Sequence, residues 1–291
     1  MRYIVMDLEW NNVYAGKIKG FINEIIEIGA IMLDENLEYI DEFSSIIRSS
    51  IGKKLRGKVR QLTNLTNEDV RSGKPFASVM HDFGKWTGDG DNVILTWGDG
   101  DIRVLIENFK YICGIKTIPF LSNYMDIQKY FQHKMGLPSS HQISLAAASE
   151  LAKVDEGEFA HHRAFDDSYI TAECMKKVFD PDDFFNHVFH CDNSFYKRLE
   201  FKPRIISNIN NPLVDKSLLD YTCGVCSTHC DIVRDWRLSN QFFRAIYVCP
   251  QCGRRTRVCV RFKKYFDHLE VRKNVSVITD EKVHENAQKA E

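Results

Sequence analysis

Met1-Arg-Tyr-Ile-Val-Met-Asp7-Leu-Glu9-Trp10 opens the chain, and its reading decides the fold. Tyr3 to Met6 is an unbroken apolar run, the pattern of a strand buried on both faces and therefore of the middle of a sheet. The run stops at two carboxylates. Strand side chains alternate, so Asp7 and Glu9 point to one side, about 7 Å apart along the backbone. Such a strand either surfaces at its end, where acids are common, or floors a site for a hard divalent cation. The residues downstream decide between the two.

Working outward, Asn11 to Gly20 reads as a turn, and Glu24–Leu33 and Tyr39–Ser49 as two further strands joined by a turn at Asp34-Glu-Asn. Three successive strands make an antiparallel meander. Gly29 within the second predicts a bulge or a close backbone approach. From about Lys53 to Lys85 the period becomes helical. Thr66-Asn-Glu-Asp69 has the form of a capping box, and Phe76, Val79, Met80 and Phe83 make an apolar stripe. Short strands are expected at Asn92–Thr96 and near Thr117–Leu121. Helices are expected at Ile102–Ile112, Met125–Met135, Ser144–Val154 and Asp166–Phe179. A meander followed by alternating strands and helices predicts an α/β fold with a mixed sheet flanked by helices.

The chain has 291 residues, 44% apolar and 27% charged, as expected of a globular protein with a packed core. No apolar run approaches the roughly 20 residues of a membrane span, and the N-terminus lacks a signal-peptide pattern, so a cytoplasmic protein with no membrane partner is expected. Net charge is −1, yet residues 1–196 carry 21 Lys+Arg against 29 Asp+Glu and residues 197–291 carry 18 against 11. An acidic body and a basic C-terminal part suggest a metal-holding site with an accessory module for polyanions. The expected division is a domain at 1–185, a linker at 186–216, a small domain at 217–278 and a charged tail at 279–291. Nothing in the sequence points to a protein partner.

Two more acidic sites complete the argument. Asp101 follows Trp97-Gly-Asp-Gly at a helix start and, with Val104 and Leu105 three and four residues on, faces inward. Asp99 reads as a helix cap. The second site is Ala160-His-His-Arg-Ala-Phe-Asp-Asp-Ser168, where His161 could go with Asp166 or His162 with Asp167. Asp167 shares its helix face with Ile170, Thr171, Cys174 and Val178, which is mostly apolar, whereas Asp166 shares its own with Tyr169, Ile170, Glu173 and Lys177, which is mostly polar. Asp167 therefore looks toward the core, and His162 is its partner. Four crowded acids, Asp7, Glu9, Asp101 and Asp167, repel unless cations sit between them. Two Mg²⁺ or Mn²⁺ ions would neutralise them and bind a phosphodiester, and a histidine beside an attacking water would serve as general base.

Asp7-x-Glu9, then Asp101, then His162-x4-Asp167, with Glu24-Ile-Ile-Glu-Ile-Gly after the first motif, resembles the DEDDh (DnaQ-like) family of 3′–5′ exonucleases over about residues 1–180. The Trp97-Gly-x-x-Asp101 form and Gly157-x4-His162 look most like the branch of small-RNA-trimming exoribonucleases and KapD-like proteins. The resemblance implies a ribonuclease-H-like fold and two-metal hydrolysis of single-stranded nucleic acid, RNA favoured over DNA, that releases nucleoside 5′-monophosphates. It also implies that residues 8–10 hold the terminal nucleotide. Leu8 and Trp10 are the substrate-binding candidates, Trp10 either stacking on a base or packing in the fold. A DNA exonuclease of proofreading type, or a non-catalytic nucleic-acid-binding protein on a nuclease scaffold, are the alternatives. Arg163-Ala-Phe-Asp166 between the last two motif residues is a departure from the pattern.

Nine cysteines include Cys223-Gly-Val-Cys226 and Cys249-Pro-Gln-Cys252, separated by 22 residues. Two such knuckles complete a tetrahedral thiolate shell, so this part resembles a zinc ribbon with one structural Zn²⁺. Cys230 or His229 could replace one of the four. Arg254-Arg-Thr-Arg257 and Arg261-Phe-Lys-Lys-Tyr-Phe266 interleave basic and aromatic residues, which suits either single-stranded nucleic acid or an exposed basic strand face.

Overall fold

A computed structural model describes residues 1–88, 90–138, 141–155 and 163–278. The chain divides into two compact units, Met1–Leu199 and Glu200–Glu291.

The first unit is built on six strands: β1 (Arg2–Ala15), β2 (Gly20–Leu33), β3 (Tyr39–Ile46), β4 (Asn92–Thr96), β5 (Asn123–Asp126) and β6 (Phe189–His190). Their order is β3-β2-β1-β4-β5-β6; β1 to β3 are antiparallel, β4 and β5 run parallel to β1, and β6 is antiparallel again. This is the expected mixed sheet, with β1 in its middle. The helices are α1 (Gly57–Thr63), α2 (Asn67–Ser72), α3 (Phe76–Thr87), α4 (Gly100–Asn108), α5 (Ile127–Lys134), α6 (Leu145–Ala152), α7 (Ala164–Val178), α8 (Pro181–Phe184) and α9 (Asn193–Glu200).

Alternation along β1 splits the core in two. Ile4, Met6 and Leu8 pack with α3 and α4 on one face, through Phe76, Val79, Met80, Phe83, Ile102 and Leu105. Tyr3 and Val5 pack with α5 and α7 on the other, through Ile127, Phe131, Ile170, Cys174 and Met175. The capping box is present at α2, where the Asp69 N–H donates to the Thr66 hydroxyl and the Thr66 N–H to the Asp69 carboxylate.

Three expectations change. Asn11–Gly20 is not a turn: β1 runs to Ala15 and returns through a tight connection at Gly16–Lys19, because Asn11 and Asn12 find partners within the sheet and beside it. Asn12 Nδ2 donates to Asn23 Oδ1 across the hairpin (2.8 Å), and Asn11 Nδ2 donates to the Lys54 carbonyl (3.1 Å). The strand expected near Thr117–Leu121 lies instead at β5, whose Tyr124 and Met125 are buried. Residues 186–216, read as a linker, are divided between the units: Phe195 and Tyr196 join the first core, whereas Ile206 and Val214 join the second.

The second unit is an antiparallel sheet of β7 (Arg204–Ile205), β8 (Asp231–Ser239), β9 (Phe242–Val248), β10 (Arg255–Lys264) and β11 (Leu269–Val277), ordered β11-β10-β9-β8 with β7 on β10. One face buries Phe243, Ala245, Tyr247, Val258, Val260 and Phe262. Among the described residues no helix is long and apolar enough to cross a membrane.

Candidate active site

The acids gather where the parallel pairing of β1 with β4 ends, just past Val5 and Leu95, the kind of edge in an α/β sheet at which ligands bind. Asp7 and Glu9 leave β1 on the α7 side, opposite Gly29 and Glu27 of β2. The register between the two strands shifts directly after Glu9, where Glu9 pairs with Glu27 but Trp10 pairs with Ile25. Gly29 is the reason α7 can reach them. A β-carbon there would lie 2.1 Å from the Phe165 backbone nitrogen, so only glycine lets the first turn of α7 sit on the strand. That contact carries Asp167 in. Ligand oxygens of Asp7, Glu9 and Asp167 all lie within 4.8 Å of one another.

Asp101 arrives from the other side. Thr96 ends β4, and its hydroxyl and that of Tyr124 both donate to the Gly98 carbonyl (2.6 and 3.1 Å). Gly98 turns at φ +83°, a conformation open to glycine, and α4 begins at Gly100. Asp101 is then 5% exposed, and its Oδ1 accepts the N–H of Leu8 at 3.1 Å. The acid of α4 is thus tied to the peptide between Asp7 and Glu9. Asp99 does not cap α4 through its side chain; it pairs with Arg103 at 2.9 Å.

Burial and mutual repulsion act together on these groups. Burial, then Asp101 and Asp167, push Asp7 well above the ordinary carboxylate range. Burial, then Asp167 and Glu27, raise Glu9 to about 8. Asp101 rises to about 7 by burial, against the pull of the Leu8 N–H. Such a cluster binds protons more tightly than isolated carboxylates do.

Two site residues read from the sequence fare differently from Asp7, Glu9, Asp101 and Asp167. Leu8, expected to touch the terminal nucleotide, is 3% exposed and packs in the core beside Met6. Even alternation along β1 sends it away from the acids, so what it offers the site is its backbone N–H. Trp10 is half-buried against the same core, its ring edge 3.9 Å from where a β-carbon on Gly100 would stand. His162 lies outside the described residues.

Two groups that the sequence places in its motifs, without a role for either, have one in the structure. Glu27 is 1% exposed, and Arg163 forks onto it, Nη2 at 2.6 Å and Nε at 3.1 Å. Arg163, the first residue of the stretch that departs from the motif, therefore anchors the start of α7. Glu24 accepts N–H bonds from Ile51 (2.7 Å) and Gly52 (2.9 Å) and fixes the loop after β3. Both glutamates stand in Glu24-Ile-Ile-Glu27, where two acids within an otherwise apolar strand were the available signal.

The Exonuclease family model (RNase_T) matches residues 4–175, more than half of the chain. The chain belongs to this exonuclease family. The probable 3′–5′ exonuclease KapD of Bacillus subtilis (strain 168) is 27% identical over 162 residues, 55% of this chain and 75% of KapD. Two solved structures share the fold. The nuclease domain of 3′hExo, a DEDDh family member bound to rAMP, has a TM-score of 0.51 at 22% identity, covering 60% of this chain and 88% of its own. A 3′-exonuclease solved for 3′-end specific recognition of histone mRNA stem-loop has a TM-score of 0.52 at 18% identity, covering 66% and 91%. The protein is a 3′–5′ exonuclease, in a family that depends on divalent metal.

In the second unit the sulfurs of Cys223, Cys226, Cys249 and Cys252 lie within 4.8 Å of one another. Neither Cys230 nor His229 belongs to this quartet. The residue after each second cysteine, Ser227 (φ +53°) and Gly253 (φ +69°), bends the chain back so that its N–H donates to the first cysteine's carbonyl. N–H groups of Cys226 and Val225 draw Cys223 down to about 6, whereas hydrogen bonding with Cys252 pushes Cys226 up to about 12. Four thiols so placed share protons until a cation replaces them. The set suits zinc and a small zinc-binding domain.

Proposed function

We propose that the first unit hydrolyses the 3′-terminal phosphodiester of single-stranded nucleic acid, RNA in preference to DNA, and releases nucleoside 5′-monophosphates in the cytoplasm. Asp7, Glu9, Asp101 and Asp167 would hold two Mg²⁺ or Mn²⁺ ions, and Cys223, Cys226, Cys249 and Cys252 one Zn²⁺. The convergence of Asp7, Glu9 and Asp167 carries the reading. The donors fit: all are hard oxygens, and those of Asp7, Glu9 and Asp167 lie close enough together to share an ion. Bound there, the ions supply a Lewis-acid grip on the phosphate and the charge that lets the acids ionise. The chain does the rest. Leu8 N–H orients Asp101, Arg163 and Glu27 hold the helix that bears Asp167, and Trp10 stacks on the terminal base. His162, next to Arg163 in the sequence, takes the proton of the attacking water.

RNA preference is supported by KapD-branch likeness and by neighbours solved for mRNA recognition and with rAMP. The second unit adds a surface for the strand. Arg234, Arg237, Arg244, Arg257 and Arg272 stand on one sheet face by the strand pairing. Phe262 is not among them: it is 0% exposed in the core, whereas Tyr265 and Phe266 of the same run are half-buried. A row of arginines suits a phosphate backbone.

The test is nucleotide release from 3′-labelled RNA and DNA oligomers with Mn²⁺, with and without chelator, beside Asp7→Ala. Monophosphate release from RNA that chelator and Asp7→Ala abolish is expected. Equal rates on DNA would overturn the preference. Release that survives Asp7→Ala would overturn the site, and no release from either strand would favour the scaffold alternative.

A further inference from the structure

Three side chains outside the acid cluster also meet in the first unit. Asp183 and His187 are four residues apart along α8 and the helical turn after it, Phe185–His187, so they share one side. Phe184 between them is wholly buried against Tyr3, Tyr130 and Phe179, which sets the helix rotation and leaves Asp183 facing α5. His133 is on the last turn of α5, and its ring stands 5.1 Å from that of His187. Tyr130, one turn earlier, packs edge-on to the His187 ring.

The distances are those of ligands. His187 Nε2 is 3.3 Å from Asp183 Oδ1, His133 Nε2 is 3.7 Å from Asp183 Oδ2, and one ligand atom from each residue lies within 4.8 Å of the others. The second separation is too long for a hydrogen bond. Bonds of about 2.0–2.1 Å to a tetrahedral ion put neighbouring ligand atoms about 3.3 Å apart, which the His187–Asp183 separation matches and toward which the 4.8 Å set need close only slightly. Each imidazole addresses a different oxygen of one carboxylate, so neither displaces the other. Lys134 Nζ is the competing cation, 3.5 Å from Asp183 Oδ2, but it rests on Asp180 at 2.6 Å, whose charge offsets it.

We propose that His133, Asp183 and His187 form a further metal site, one that takes a borderline divalent ion of the zinc class with water completing its shell. Two imidazoles and one carboxylate select such an ion over Mg²⁺, which prefers oxygen throughout. An ion there pins the end of α5 to α8 and lies apart from hydrolysis.

Full-length protein with its cysteines zinc-loaded and excess Mg²⁺ present is titrated with Zn²⁺ alone. Calorimetry counts the equivalents, and nuclear magnetic resonance follows the imidazole signals. The wild type is expected to bind one equivalent more than His187→Ala, with the His133 and His187 signals moving together and saturating. Asp183→Asn, nearly isosteric, should lose the same equivalent while circular dichroism shows an intact fold. Equal uptake by wild type and variants, or only one imidazole responding, would overturn the site. Mn²⁺-dependent cleavage by His187→Ala should equal wild type. That control keeps this inference separate from the nuclease reading, and a changed rate would assign the triad to catalysis and overturn it.

Discussion

Replacing Glu9 by Gln should stabilise the metal-free protein while abolishing cleavage. Glu9 has a folded pKa of about 8 against 4.5 for the free side chain, raised first by burial and then by Asp167 and Glu27. The folded state therefore grips the proton harder than the unfolded chain, and stability falls as pH rises from about 4.5 to about 8. Linkage over that interval makes ionisable Glu9 a cost of at most about 3 kcal/mol at pH 7, or about 1–3 kcal/mol once relaxation of the cluster is allowed for. At pH 5 the same linkage leaves under about 1 kcal/mol. Urea unfolding in chelator at the two pH values reads the difference. Glu9→Gln should gain stability over wild type at pH 7 and lose most of that gain at pH 5. With Mn²⁺ at about 1,000 times its dissociation constant the order should reverse, because binding then adds about 4.1 kcal/mol to a chain that can hold the ion. A gain that is absent, or equal at both pH values, would refute the account of Glu9 as a carboxylate waiting for a cation.

Other outcomes follow from the same geometry. Gly29→Ala drives a methyl into the backbone of Ala164 and Phe165, so α7 must lift; a loss of about 3 kcal/mol or more and of most cleavage is expected in thermal unfolding and release assays. Arg163→Ala leaves Glu27 buried without its ion pair, at a cost of about 3 kcal/mol by urea unfolding, and Glu27→Gln in the same chain should recover much of it. Cys249→Ser should melt the second unit, as structural zinc sites do on losing a ligand, and release zinc to a dye while the helical signal of the first unit persists. Arg234→Glu with Arg257→Glu should weaken binding of a long RNA and flatten its salt dependence, and leave hydrolysis of a trinucleotide unchanged.

Much of this site was legible because two periodicities settle it. Alternation on β1 put Asp7 and Glu9 on one side, and helical spacing placed Asp101 inward and Asp167 on the apolar face of α7; the structure gathers Asp7, Glu9 and Asp167, and holds Asp101 on the N–H of Leu8 between the first two. Gly29 announced a close approach, and the approach is α7 itself. What escaped depended on partners distant in sequence. Asn11 and Asn12 look like turn residues until Lys54 and Asn23 are beside them. Arg163 has no role legible in the motif until Glu27, 136 residues earlier, meets its guanidinium. Leu8 and Phe262 were read by neighbourhood, one next to acids and one among lysines and arginines, when strand alternation sends each to the core.

Titrating the chelated protein with Mn²⁺ at pH 7, in buffers of different ionisation enthalpy, asks most directly whether Asp7, Glu9, Asp101 and Asp167 act as one cation site. Binding is expected to expel protons from the wild type, since Glu9 at about 8 and Asp101 at about 7 are part-protonated there, and to weaken sharply in Asp167→Asn. Mn²⁺ heat that is the same in every buffer and unchanged by Asp167→Asn would contradict it.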